Sequence, residues 1–331
     1  MIRRRSVPVK NRHPTRREAI KAGFLAGAGL AAGRLPLVAA EPVRPRDLSN
    51  TQLPLITKAI PSTGEQIPAV GLGTNQYGVS TPEEMAPLRE VLRAMPELGG
   101  KVIDTAPSYR RSETVLGELM AELGNRDQFF LSTKVTAPDG NVDEGIRQME
   151  NSFEVLKTDV IDLMEVHNLN GTEAILPVMR EWKQEGRIRY IGVTTSRNQA
   201  HGTLMEIMRQ EELDFIQVNY SIADRAAADQ VLPLAQELGI AVMLNVPFGG
   251  RRGGNVFSLL ADKELPEWAA EFDCNSWAQF CLKYLISHPA VTCPIPGTTD
   301  VEHLEDNLGA ARGHLPDPAM RKQMEELFDS F

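Results

Sequence analysis

Residues 160–195, VIDLMEVHNLNGTEAILPVMREWKQEGRIRYIGVTT, hold a β-branched run at 160–166, a stretch of helical period at 173–185 and a second short apolar run at 190–193. A strand, a crossover helix and another strand oblige the two strands to run parallel, because the crossover returns the chain to the same end. The unit recurs. Strand candidates lie at 69–72, 102–104, 129–133, 160–166, 190–193, 215–219, 241–244 and 290–295. Helix patterns follow them near 81–97, 112–123, 142–156, 173–185, 199–211, 226–238, 275–287 and 301–311. Such a series, spread over about 250 residues, favours a closed α/β architecture, a (β/α)8 TIM barrel, over an open doubly wound sheet.

Ahead of the first unit, two apolar runs flank Pro61-Ser-Thr-Gly64, which predicts an N-terminal β-hairpin. Residues 41–53 are rich in Pro, Arg and polar groups and read as a flexible leader, so the barrel domain is expected over 54–331. The one long connection, PFGGRRGGNVFSLLADKELPEW at 247–268, has the length of a functional or mobile loop.

The first 40 residues have a different character. Basic residues (Arg3, Arg4, Arg5, Lys10, Arg12) precede a Gly/Ala-rich apolar stretch that ends at LVAAEP, the parts of an export signal. Arg16 and Arg17 after Thr15, with Ile20 and Lys21 following, resemble a twin-arginine signal peptide. That reading implies the twin-arginine export machinery as a partner, cleavage after Ala40 and a periplasmic location. A basic, amphipathic or disordered arm is the alternative.

This segment carries nine Lys or Arg against one acidic residue, and the other 291 residues carry 26 basic and 43 acidic groups, a net charge of −17. So acidic a body repels nucleic acid and anionic membrane, and neither partner is expected. No stretch reaches the ~18 apolar residues of a membrane span. Cys274, Cys281 and Cys293 are odd in number and form no CxxC pair, which argues against a disulfide framework or a zinc site.

In a barrel of this kind the chemistry gathers where strands end. Asp104 closes the second strand with Tyr109 in its loop, Lys134 closes the third and His167 the fourth. Taken singly, each has an ordinary structural explanation. Together they form a proton-transfer set: an ammonium within about 4–6 Å stabilises a phenolate, Asp104 would hold the lysine, and His167 would orient a substrate oxygen. A tyrosine acid without a metal cluster suits protonation of an oxygen as hydride reaches carbon. Strand alternation also points Glu165 inward, where a carboxylate needs a partner such as Lys134.

DTAPSYRRSE at 104–113 with VLGE after it, STK at 132–134, the strand ending in His167, RIRYIGV at 187–193, FIQVNYS at 215–221 and PIPGTTDVEHLEDNLGA at 294–310 resemble the aldo-keto reductase family, from about Ile56 onward. The resemblance implies a (β/α)8 barrel that reduces carbonyls with an extended NADPH. It makes Tyr109 the general acid and base, Lys134 and Asp104 the groups that tune it, and His167 the residue that orients the carbonyl.

It also implies cofactor contacts from Thr74, Asp104, Thr194, Thr195, Gln217, Asn245, Phe248, Gly297, Thr298, Thr299, His303, Asp306 and Asn307. Several of these depart from the family pattern. Thr194 and Thr195 stand where Ser-Asn is usual, the stacking aromatic is absent near Asn245 and Val246, with Phe248 as its substitute, and Asp300 sits where cations usually bind the adenosine phosphate. NADP(H) is therefore expected, with NAD(H) a close alternative. Arg251 and Arg252 are candidate pyrophosphate clamps.

The family's long C-terminal substrate loop is replaced by a closing helix at 316–331, which leaves substrate selection to the loops at 75–80, 105–111, 168–172 and 247–268. Arg110 and Arg111, where glycine usually follows the tyrosine, are either solvated charges or a mouth for anionic substrates. The leading reading is an exported NAD(P)H-dependent carbonyl reductase. A cofactor-holding sensor or interaction protein, and a two-substrate oxidoreductase with a non-dissociating nucleotide, are the competing readings.

Overall fold

The structure is a computed structural model that describes residues 47–249 and 255–331, all within one unit, Arg46–Phe331. The signal-peptide reading of residues 1–40 and the arginines at 251 and 252 lie outside the described residues.

The expected hairpin forms from β1 (Thr57–Ala59) and β2 (Gln66–Pro68), which pair antiparallel around the Pro61–Gly64 turn. Eight parallel strands follow: β3 (Leu72–Gly73), β4 (Val102–Asp104), β5 (Phe130–Val135), β6 (Ile161–Val166), β7 (Ile188–Thr194), β8 (Phe215–Asn219), β9 (Ala241–Asn245) and β10 (Cys293–Pro294). They pair in chain order from β3 to β10. Gly71 and Gly73 then donate to the carbonyls of Pro294 and Pro296, each at 3.0 Å, and close the barrel. A Cβ on Gly73 would sit 2.8 Å from the Ile295 carbonyl, so the closing seam requires glycine there.

Two strands differ from expectation in extent. The first begins at Leu72 rather than Ala69, and the last is confined to Cys293–Pro294. Pro294 and Pro296 lack an N–H, so this edge of the ladder is built from carbonyls that accept from β3.

Each barrel strand is followed by a helix, and the helix ends follow local chemistry. Pro82–Glu97 starts at a Thr81/Glu84 capping box with proline in its first turn. Ser112–Leu123 and Ala227–Leu238 stop at Gly124 and Gly239 in the left-handed conformation. Pro318–Asp329 is the closing helix.

The segment read as a flexible leader is docked from Asp47 onward, which corrects that expectation. Asn50 is buried and donates to Gln279 Oε1 and the Gly309 carbonyl, each at 3.2 Å, while accepting from Asn275 at 2.7 Å. Its amide satisfies polar groups that would otherwise be left unpaired inside.

Inside the barrel, alternate residues form layers. Phe130, Tyr190 and Phe215 pack with ring centroids 5.6–6.1 Å apart. Ile60 and Ile67 of the hairpin region join the same buried cluster. Tyr190 reaches Glu65 at 2.7 Å and Thr63 at 2.8 Å, pinning the hairpin across the barrel's lower end. The next layer up is polar: Asp104, Ser132, Lys134, Glu165 and Gln217, all buried.

Candidate active site

The layer rule fixes which side chains meet. Across neighbouring strands Asp104 pairs with Ser132, Lys134 with Glu165, and Thr194 with Gln217. Lys134 donates all three N–H groups: to Asp104 Oδ1 at 2.7 Å, to Oδ2 at 2.8 Å and to the Thr105 carbonyl at 2.7 Å. The two side chains are 1% and 2% exposed, so the pair is almost fully desolvated. Burial lowers the lysine, but the carboxylate of Asp104, helped by Tyr109 and Glu165, outweighs it and holds the ammonium above the ordinary lysine range.

Tyr109 sits in the turn after β4, its backbone N–H donating to the Ala106 carbonyl at 3.0 Å. The Lys134 ammonium lies 5.4 Å from the Tyr109 ring centroid. The His167 ring stands edge-on to Tyr109, with centroids 6.2 Å apart, and Ser108 Oγ lies 3.4 Å from His167 Nδ1. The four residues singled out in the sequence thus meet at the C-terminal end of the barrel. An ammonium near the phenol favours negative charge on it, and the imidazole faces the same space.

A cleft of about 420 Å³ opens beside them, with Tyr109, His167 and Gly297 in its lining. Of the cofactor candidates, Thr74, Asp104, Thr194, Gln217, Asn245, Phe248 and Gly297 line it. Gln217 Nε2 donates to Asp104 at 2.9 Å and to Glu165 at 3.0 Å, while Asn245 Nδ2 donates to the Thr195 carbonyl at 3.1 Å. Phe248 packs on Phe257 at 4.8 Å. Val246 has φ 52°, a left-handed conformation that strains a β-branched residue at the cleft wall.

The remaining candidates are not part of that wall. Thr195 and Thr298 are buried, and the Thr298 hydroxyl accepts from the Asp300 N–H at 3.1 Å. Thr299 and His303 lie on the approach to and in the first turn of the helix Val301–Gly309, where Asp300 accepts from Glu302 N at 2.9 Å and His303 N at 3.1 Å. Those two amides already have a carboxylate partner. Asp306 accepts from Ser276 Oγ at 2.6 Å, and Asn307 is buried. Arg110 and Arg111 are exposed, with Arg111 3.9 Å from Glu118, and neither lines the cleft. Solvated charge is therefore the reading the geometry favours for both.

Asn75, Gln76, Asn168 and Asn255, from three of the loops to which substrate selection was assigned, also line the cleft, as does Ser196, which was not singled out in the sequence. Ser196 Oγ and Asn245 Oδ1 are buried there without a hydrogen-bond partner among the described residues. Buried polar atoms left so are costly, and a ligand that satisfies them recovers that cost.

Glu165 points inward, as alternation required, and is fully buried. Its hydrogen-bond partners are Gln217 at 3.0 Å and Ser132 at 3.4 Å rather than the expected Lys134, whose donors are all taken. Burial is the main cause that pushes its carboxyl up to about 8; Lys134 opposes the rise and the Asp104 carboxylate adds to it. Gly192 on β7 is the register partner of Glu165, and a Cβ there would come 2.6 Å from the Phe215 carbonyl, so that position requires glycine.

The sequence matches the model of the aldo/keto reductase family over residues 69–327. The chain belongs to the aldo/keto reductase family. Aldo-keto reductase YhdN of Bacillus subtilis is 34% identical over 204 residues, covering 56% of this chain and 60% of the relative. The chain thus aligns with less than two thirds of that relative's length.

Among solved structures, the holo form of an aldo-keto reductase from Bacillus halodurans superposes with a TM-score of 0.68 at 23% identity, covering 83% of this chain and 96% of the other, and bears on the fold alone. The aldo/keto reductase of Klebsiella pneumoniae in complex with NADP and acetate has a TM-score of 0.63 at 26% identity, covering 80% and 93%. The family's eight-stranded barrel is the fold described above. Among the described residues no group of His, Cys, Asp and Glu could hold a metal, and no helix is long and apolar enough to cross a membrane.

Proposed function

We propose that this chain reduces an aldehyde or ketone to an alcohol with a nicotinamide nucleotide, using Tyr109 as the acid. The observation that carries the proposal is the buried, hydrogen-bonded Asp104–Lys134 pair, whose ammonium lies 5.4 Å from the Tyr109 ring centroid with His167 beside that ring. The cleft's unpartnered Ser196 Oγ and Asn245 Oδ1 fit the polar edge of a nicotinamide. Gln217, Thr194 and Asn245 would hold that end. When bound, the nicotinamide supplies a hydride to the carbonyl carbon.

The protein's own part is placement and proton transfer. His167 donates to or orients the carbonyl oxygen, and Tyr109 releases its proton to that oxygen as charge develops. Lys134 stabilises the phenolate left behind, and Asp104 keeps the ammonium charged and in place. The Phe130–Tyr190–Phe215 layer and the hairpin keep water from reaching the pair from below. Tyr109→Phe is expected to abolish turnover of reactive aldehydes while nucleotide binding persists; retained turnover would overturn the assignment.

NADP(H) is the proposed nucleotide, supported by family membership and by the Klebsiella relative's complex. NAD(H) stands as a second reading because Asp300 places a carboxylate on the Glu302 and His303 amides. Comparing NADPH and NADH affinities decides between them.

We also propose export to the periplasm, a reading supported by Arg16, Arg17 and the apolar stretch after them. Retention of an Arg16→Lys, Arg17→Lys variant in the cytoplasm would support it, and unchanged fractionation would refute it.

A further inference from the structure

The polar layer holds more carboxylate than the proposed chemistry uses. Asp104 and Glu165 flank the same donors. Gln217 Nε2 lies 2.9 Å from Asp104 Oδ1 and 3.0 Å from Glu165 Oε2, and Ser132 Oγ lies 3.3 and 3.4 Å from the same two oxygens. One ammonium serves this site, and its three N–H groups go to Asp104 and Thr105. Glu165 Oε1 has no hydrogen-bond partner among the described residues, in a side chain that is 0% exposed.

Among the described residues the other neighbours offer no second cation. On β7 the facing residue is Gly192, on β8 it is Gln217, and across the barrel Cys293 is a buried thiol that desolvation raises. Above lie Tyr109 and His167, and on the outer side of β5 the buried Glu113 is held by Thr133 at 2.6 Å. With both carboxylates ionised, the barrel would carry one uncompensated negative charge in a dry interior. A proton on Glu165 removes it.

We propose that Glu165 is a positioning residue that works as a neutral carboxylic acid, and that its ionisation places a negative charge beside Lys134 and weakens proton donation by Tyr109. The inference rests on the proposed role of Tyr109. During reduction the Tyr109 proton passes to the substrate oxygen, and the phenolate left behind lies in the field of Lys134. When Glu165 loses its own proton to solvent, the added charge opposes that phenolate. At an effective dielectric of about 20, a charge within about 10 Å alters such a proton transfer on the order of tenfold.

The test compares the full-length wild type with Glu165→Gln and Glu165→Leu. Reduction of a reactive aldehyde is followed from about pH 6 to about pH 9.5, spanning the range in which a raised carboxyl titrates. The wild type is expected to descend in two steps, first to a plateau roughly tenfold lower and then to zero, whereas both variants lose the first step only.

Difference infrared spectra of the wild type are expected to show a protonated-carboxyl band that disappears across the first step and is absent in both variants. This second readout needs no turnover, and a wild type that lacks the band is decisive without any variant. A wild type without the band, or variant profiles that superimpose on the wild type, would overturn the inference. Turnover without the band removes this inference alone, whereas the band without turnover on any carbonyl removes the reductase reading as well.

Discussion

Replacing Lys134 with methionine tests the frame of the site through stability alone. The substitution preserves most of the stem's packing and deletes an ammonium that makes bonds of 2.7, 2.8 and 2.7 Å. Asp104, 2% exposed, would keep only Gln217 at 2.9 Å and Ser132 at 3.3 Å as partners and would carry an unneutralised buried charge. Breaking a buried pair from one side typically costs about 3–5 kcal/mol, whereas replacing both charges costs far less. Urea denaturation at neutral pH should therefore show Lys134→Met destabilised by about that amount. Lys134→Met with Asp104→Asn should recover most of the loss. A single variant within about 1 kcal/mol of the wild type, or a double variant no more stable than the single one, would refute the reasoning.

Two further outcomes follow from the same geometry. Because Glu165 binds its proton more tightly when folded, its contribution to stability is fully present below the ordinary glutamate range and is lost as pH rises toward about 8. Over that window wild-type stability should fall by up to about 1.4 kcal/mol per pH step, a slope that Glu165→Gln should reduce; equal slopes in denaturation series would contradict it. Asp300→Ala should cost about 1 kcal/mol through the lost cap. By exposing the Glu302 and His303 amides, it should also raise NADPH affinity relative to NADH, and a ratio that stays the same or falls would count against the proposed phosphate end.

The barrel was legible because its signal is local. A β-branched, apolar run at 160–166 giving way to a helical period in 173–185 needs no knowledge of distant residues, and strand and helix appear there at Ile161–Val166 and Thr172–Gln184. Asp104, Lys134 and His167 were legible for a related reason, since they end consecutive parallel strands that must open on the same rim.

What stayed hidden depends on long-range partners. The limits of β3 and β10 follow from which prolines accept across a seam more than 200 residues apart in sequence. Glu165 was placed on the correct side by alternation, yet its partner Gln217 is 52 residues away and two strands over. Asp306 answers to Ser276, and residues 47–53 to Gln279 and Gly309, contacts that no local pattern announces. Ser196 lies just past the end of β7 in a loop whose path, rather than composition, brings it to the cleft.

The reductase reading turns on one phenolic proton. Single-turnover reduction of a reactive aldehyde by nucleotide-loaded Tyr109→Phe, with nucleotide affinity measured in parallel, isolates it. The expected result is wild-type affinity with a chemical step slowed by roughly 10²-fold to 10⁴-fold, the contribution of a positioned general acid. A chemical step at the wild-type rate in that variant would contradict the account.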